Sequence, residues 1–321
     1  MPTMLITGAG GFIGRHVARC AQELPDGPDV HLLAHQNRVR ATGRHGRIVT
    51  ADLTRPVTLQ GLCDGVDVLV HCASQIGGPD ELCEAVNAKG TTALVTEAQR
   101  AGVPRIVYVS TASVYGRGPF TNACAEQLLR RPVSATSRTR AHAEDAVLAA
   151  GGTVLRPHIV YGTGDRWVAR GLVDLLRAVQ GSVEGWAALI SVIDVECLAR
   201  AVVCTALAAA ARLKAPVYHA NHPQPVASRI LLRAFADAAD LSWPSDALSA
   251  AQASELLHAR GGSLNHLKMM TTDHWFDSTQ LWDDLGSDPG PGFHGRIARH
   301  SAWYRHVLQE EPYTSLSVAP V

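Results

Sequence analysis

The chain has 321 residues, of which 46% are hydrophobic and 18% charged. That is too apolar for a disordered protein and long enough to bury a core without disulfides or metals. The 29 basic residues equal the 29 acidic ones, which argues against a protein held to nucleic-acid phosphates. No apolar run approaches the roughly 18 residues of a membrane span.

Residues 1–7 lack the basic region and cleavage site of a secretory signal, and read as a strand entering a glycine turn. Further strand-like runs follow at 30–34, 47–50, 66–71, 105–110 and 153–156. Helical stretches at 14–24, 82–101 and 137–150 lie between them, the last stopped by Gly151-Gly152. Strands alternating with helices predict an α/β fold with a doubly wound parallel sheet. Residues 191–211 read as one helix and 217–220 as a short strand. Helices punctuated by Pro and Gly follow, with a tail after Pro312 expected to fray. The seven cysteines are odd in number and form no C-x-x-C pair, so reduced thiols and a cytoplasmic setting are expected. The histidines show no metal-ligand spacing on a helix with carboxylates, so no metal is expected. Three lysines stand against 26 arginines, so few positions can host a catalytic lysine.

The strongest local motif is Thr7-Gly8-Ala9-Gly10-Gly11-Phe12-Ile13-Gly14, after a strand and opening a helix. Gly8 permits the tight turn, Gly11 lets backbone N–H groups approach a pyrophosphate, and Gly14 allows close helix–strand packing. An NAD site would offer an Asp or Glu to the ribose about twenty residues later. Here the second strand ends in His35, with no carboxylate but with Arg38 and Arg40 following. Arginines attract a 2′-phosphate, so NADPH is expected over NADH.

With these residues on hand, the sequence resembles the extended short-chain dehydrogenase/reductase family, the NAD(P)-dependent epimerase/dehydratase group. Further matching segments are Asp52-Leu53, Val70-His71-Cys72-Ala73-Ser74, the helix segment around Asn87, the run Val109–Gly116 and Leu155-Arg156-Pro157-His158-Ile159-Val160-Tyr161-Gly162. The resemblance implies a Rossmann cofactor domain over 1–165, with 188–220 returning to it, and a substrate-binding domain over 166–321. It implies cofactor contacts at Gly8, Gly10, Gly11, Phe12, Ile13, Gly14, His35, Arg38, Arg40, Asp52, Leu53, Cys72, Ala73, Ser74, Asn87, Pro157, His158 and Val160.

The chain departs from the family at its catalytic Tyr-x-x-x-Lys. Thr136 stands at the tyrosine position and Arg140 at the lysine position. None of the six tyrosines has a lysine four residues on. Thr111 occupies the Ser/Thr position that bonds a substrate carbonyl, with Ser113 on the same face if the strand continues. A threonine hydroxyl is far less acidic than a phenol, and arginine stays protonated, so neither replaces the usual acid–base pair. Arg140 and Glu144, four apart, are candidates for a helix-face ion pair. His158 is a candidate proton source near neutral pH.

Among members lacking the tyrosine, the chain resembles angucyclinone ketoreductases of the simocyclinone type. This implies NADPH-dependent reduction of a ketone on an aromatic polyketide in antibiotic biosynthesis. A substrate phenol beside the ketone would supply the proton. All six tryptophans fall at 167 or later, which suits a flat aromatic ligand but equally ordinary packing. Two other readings stay open: a non-catalytic NADP(H)-binding sensor or scaffold, and a sugar-nucleotide reductase or epimerase with a relocated acid. The oligomeric state is open as well.

Overall fold

The computed structural model describes residues 1–35 and 46–309. The first part of the chain runs β1 (Thr3–Thr7), α1 (Phe12–Gln22), β2 (Asp29–Ala34), β3 (Gly46–Thr50), β4 (Val68–His71), α2 (Asp80–Cys83), α3 (Thr91–Arg100), β5 (Arg105–Val109), β6 (Phe120–Ala123), α4 (Ala135–Ala149) and β7 (Thr153–Arg156). Then come β8 (Ile159–Tyr161), α5 (Val168–Val179), β9 (Ser182–Val183), β10 (Leu189–Ile190), β11 (Val192–Asp194), α6 (Val195–Leu207) and β12 (Val217–His219). The remainder is β13 (Val226–Ala227), α7 (Ser228–Ala238), β14 (Ala247–Leu248), α8 (Ala250–Ala259), α9 (Leu264–Thr271), β15 (His274–Phe276), α10 (Thr279–Leu285), α11 (Phe293–Arg296) and α12 (Ser301–Gln309).

Seven parallel strands form the main sheet in the order β12-β7-β5-β4-β1-β2-β3. Met4, Leu5 and Ile6 are wholly buried, as expected of a strand covered on both faces. Ile6 pairs with Leu32 on one side and Val70 on the other. Thr7 pairs with His71, and His71 with Tyr108. The carboxyl ends therefore line up along one edge, and the strand order reverses beside β1. That is where an open α/β sheet leaves its ligand crevice.

On one face α1 packs against α6. Val17, Ala18 and Ala21 share a core with Ala199, Val202, Val203 and Ala206. Each fully buried Val or Leu here contributes about 1.5–3 kcal/mol. The small alanines let the two helices approach closely. A second core gathers α5, α7, α8, α9 and α12 around Trp186, Phe235 and Tyr304. Beside it lies a four-stranded sheet in the order β13-β10-β15-β6.

Two sequence expectations are corrected here. The helix expected from residue 191 begins at Val195, because Val192–Asp194 is a strand paired with Ile159–Tyr161. Asp194 then caps α6, accepting from the Glu196 and Cys197 amides. The tryptophans do not gather in one place. Trp186 is core, Trp282 packs under the main sheet and donates to Asn221 O, while Trp167 is 72% exposed. The tail after Pro312 lies outside the described residues. Among the described residues no helix is long and apolar enough to cross a membrane.

Candidate active site

The glycine turn sits at the carboxyl end of β1. The Gly11 amide bonds Gly8 O at 2.8 Å, folding Ala9 and Gly10 into the bend. Gly8 has φ +68°, and a Cβ there would lie 2.6 Å from Ala73 N. The exit of β4, Cys72-Ala73, thus presses against the turn. A Cβ on Gly14 would meet Gly8 O at 2.0 Å, so the first turn of α1 packs directly on the bend. Gly11 is different: its Cβ would meet only Gly8 O, at 3.1 Å. Its other side is open, and the N–H groups of Phe12 and Ile13 at the start of α1 face outward there.

At the far end of the crevice, His35 Nε2 lies 3.3 Å from Asp52 Oδ2. Asp52 Oδ1 accepts from both the amide and the hydroxyl of Thr54. Partial burial pulls the Asp52 carboxyl up, but the Thr54 bonds and His35 prevail and hold it below its ordinary value. Leu53 packs against Gly90, where a Cβ would lie 2.9 Å from Leu53 O. Arg38 and Arg40 lie outside the described residues.

Residues 84–90 form a π-helical segment, a helix form often found at functional sites. From it, buried Asn87 clamps the loop after β4. Its Oδ1 accepts from Ser74 Oγ and the Gln75 amide, and its Nδ2 donates to Gln75 O and Thr139 Oγ1. The roles of Gln75 and Thr139 left no signal in the sequence reading, since each is a short polar residue recognisable only by its partner.

The catalytic candidates fall into two groups. Thr111 and Ser113 come together, but not along a strand. β5 ends at Val109, and Thr111 caps a short 3-10 turn over Ala112–Tyr115. Thr111 Oγ1 accepts from the Ser113 amide at 3.1 Å and donates to Ser113 Oγ at 3.2 Å. The Ala112 amide bonds Pro157 O, bringing this run beside Pro157-His158. Thr136 is held elsewhere. Its hydroxyl accepts from the Gly77 amide at 3.1 Å and lies 3.8 Å from Cys83 Sγ. Arg140, one turn further along α4, donates from Nη2 to Val109 O at 2.7 Å, while its buried Nε has no partner.

Arg140 does not pair with Glu144, contrary to the helix-face expectation. Glu144 is fully buried and takes Arg156 in a two-point contact of 2.9 and 2.5 Å. Ser110 Oγ donates to the same carboxylate at 2.5 Å, and Arg130 Nη1 at 3.3 Å. Arg156 Nη1 donates to Tyr115 OH at 2.7 Å, which lies 2.7 Å from His219 Nε2. This network braces the floor of the crevice. Glu144 and Arg156 stand in quoted sequence segments, but only the fold joins them.

His158 lies flat against His274, with ring centroids 5.6 Å apart and planes at 11°. Burial, then the neighbouring His274 and His219, push its imidazole down to about 3. Burial thus favours its neutral form. Its Nε2 is buried without a partner. Val160 sits inside β8, paired with Ile193 and buried in the sheet core.

The residues present fit a dinucleotide. The Gly11 side of the turn is a cradle that a larger side chain would fill, and Arg140 Nε and His158 Nε2 are polar atoms awaiting partners. The fold and this loop together define a dinucleotide-binding α/β protein. Residues 4–212 match the NAD dependent epimerase/dehydratase family, and the chain belongs to that family. It is 27% identical over 201 residues to the decarboxylating sterol-4-alpha-carboxylate 3-dehydrogenase of Saccharomyces cerevisiae, covering 57% of this chain and 58% of that one. It is 30% identical over 192 residues to the 2-alkyl-3-oxoalkanoate reductase of Stenotrophomonas maltophilia, covering 56% of each. The chain thus spans little more than half the length of these curated relatives. In fold it is similar to the Bordetella bronchiseptica enzyme WbmH in complex with NAD+, with a TM-score of 0.74, 21% identity and coverage of 95% of this chain and 99% of that one.

Proposed function

We propose that the protein is an NADPH-dependent ketoreductase that reduces a ketone of an aromatic polyketide, of the angucyclinone kind made on the way to simocyclinone-type antibiotics, to an alcohol. The observation that carries this reading is the chemistry of the residues at the usual acid–base positions. The Thr136 hydroxyl, which accepts from the Gly77 amide, is far less acidic than a phenol, and Arg140 is a fixed cation bonded to Val109 O. Chemistry that depends on removing a proton from carbon, as in epimerisation or dehydration, demands a competent base. Reduction of a carbonyl demands chiefly orientation and polarisation.

When bound at the glycine turn, reduced nicotinamide would supply the hydride that the carbonyl carbon needs. Ser113 Oγ, which accepts from Thr111 Oγ1, keeps its own proton to donate to the carbonyl oxygen. Arg140, held on Val109 O, adds a fixed positive charge to the crevice. A phenol on the substrate, bonded to its own ketone, provides the proton.

The experiment is single-turnover NADPH oxidation with aromatic polyketide ketones. Thr136→Ala is expected to keep activity within about tenfold, well short of the 10²–10⁴-fold loss of a true general acid. Thr111→Ala is expected to lose part of the rate. Methylating the substrate phenol beside the ketone is expected to slow the reaction far more than either substitution. A large loss in Thr136→Ala with the methylated ketone still reacting normally would reverse the assignment in favour of a threonine-centred relay.

A further inference from the structure

The loop between β8 and α5 carries a hydroxyl backed by a histidine and a carboxylate. Thr163 is exposed, while His300 and Asp194 behind it are buried. His300 Nδ1 accepts from the Thr163 amide at 3.0 Å, so that nitrogen holds no proton. The Thr163 hydroxyl, also 3.0 Å away, therefore donates to it. His300 Nε2 carries the ring proton and donates to Asp194 Oδ2 at 2.7 Å. The other carboxylate oxygen, Oδ1, takes the Glu196 and Cys197 amides and Arg296 Nη1. Burial pulls the Asp194 carboxyl up, but His300 and the Cys197 amide prevail and hold it below its ordinary value. A buried anion thus fixes the tautomer and orientation of the ring.

Two glycines make room for this arrangement. A Cβ on Gly162 would meet Val195 Cγ1 at 2.7 Å and His300 Cε1 at 3.2 Å, so the ring reaches Thr163 only past a bare backbone. A Cβ on Gly164, where φ is +105°, would lie 3.2 Å from the Phe12 ring and 3.4 Å from Arg15 Nη1. The His16 ring bonds Thr163 O at 2.8 Å and pins the loop from its other side. Among the described residues the Gly164 amide makes no hydrogen bond. An N–H directly after a nucleophile is a ready oxyanion donor. The Arg15 guanidinium beside Gly164 adds positive charge at the same place.

We propose that Thr163, His300 and Asp194 form an acyl-accepting triad, an activity separate from carbonyl reduction, with activated esters of small carboxylic acids as its substrates. Thr163 Oγ1 attacks the ester carbon and its proton passes to His300 Nδ1. The Gly164 amide and Arg15 hold the oxyanion. The bond from carbon to the leaving oxygen then breaks, and the alcohol departs with the proton from Nδ1. An acyl-threonine remains. Water attacks the same carbon, its proton returns through Nδ1 to Thr163 Oγ1, and the free acid leaves. Asp194 stays ionised throughout and stabilises the imidazolium.

The probe is p-nitrophenyl acetate, with nitrophenolate release followed by absorbance and the acetylated residue located by peptide mass spectrometry after an acid quench. Wild type is expected to carry acetyl on Thr163. Thr163→Ala is expected to lose that adduct and to slow release above the buffer rate by about 10²-fold. Thr163→Ser is expected to restore both, since it keeps the hydroxyl. Asp194→Asn keeps an acceptor for the α6 amides, and is expected to slow release by at least about tenfold with a native circular dichroism spectrum. Release in Thr163→Ala within about twofold of wild type, or acetyl confined to lysines and cysteines, overturns the triad. Acetylation of Thr163 at an unchanged rate in Asp194→Asn also overturns it, because the hydroxyl would then react merely through its exposure.

Discussion

The three glycines at positions 8, 11 and 14 look alike in the sequence and meet different neighbours in the fold. Gly14→Ala places a methyl 2.0 Å from Gly8 O. We expect a lowered thermal midpoint and loss of nucleotide binding together. Gly11→Val meets the turn only at its edge and otherwise fills the open side. It is expected to keep the native circular dichroism spectrum while NADPH binding disappears. Retained binding would reduce the motif to a plain turn. Arg38 and Arg40 carry the cofactor preference expected from the sequence. Calorimetry is expected to find NADPH tighter than NADH, with Arg38→Ala plus Arg40→Ala closing the gap by about 1–3 kcal/mol. Equal affinities in the wild type would sink that expectation.

At the scale of elements, α4 does most to shape the site. A reciprocal cap of Ser134 and Ser137 starts it. Its next turns then present Thr136, Thr139 and Arg140 to the crevice and Glu144 to the interior. The i, i+4 spacing of Arg140 and Glu144 suggested a local pair. The neighbouring strands decide otherwise, because Val109 O captures Arg140 and Arg156 captures Glu144. Breaking a buried, hydrogen-bonded ion pair leaves an unpaired charge. Glu144→Ala is therefore expected to cost about 3–5 kcal/mol in urea denaturation. A cost under about 1 kcal/mol would show that the network does not brace the crevice floor. The same limit of local reading explains residues 191–195. A three-residue strand with only two apolar residues, Val192 and Ile193, is too short to show period two against period 3.6. Pairing with β8 makes it a strand.

Across the whole molecule, buried histidines link stability to pH. His71 is wedged between Thr7 and Thr91, bonded at 2.6 and 2.8 Å, and burial, then Arg140, pushes it down to about 3. His219 is held at about 4, chiefly by burial. Both are near 6.5 in an unfolded chain. Between about pH 6.5 and those folded-state values, the unfolded chain binds protons that the folded one does not. Stability therefore rises with pH in that window and is lost as the pH falls below about 6.5. Urea denaturation is expected to give a stability on the order of 2–4 kcal/mol lower at pH 5 than at pH 7. Equal values at the two pH points would rule out neutral, buried His71 and His219 as the source.

The sequence by itself determined the alternating strand–helix order and the glycine turn, and it set the expectation that Thr136 and Arg140 stand where the family's Tyr and Lys would. These are local facts, written in hydrophobic period, in the backbone freedom of glycine and in residue identity at fixed spacing. Tertiary structure alone decided that Thr136 Oγ1 accepts from the Gly77 amide and that Glu144 answers Arg156 and not Arg140. It also decided that His158 stacks on His274, and that the backbone at Gly164 passes beside Phe12 and Arg15. Each of these depends on which distant group arrives within hydrogen-bond or Coulomb range. No spacing rule carries that information before the sheet is assembled.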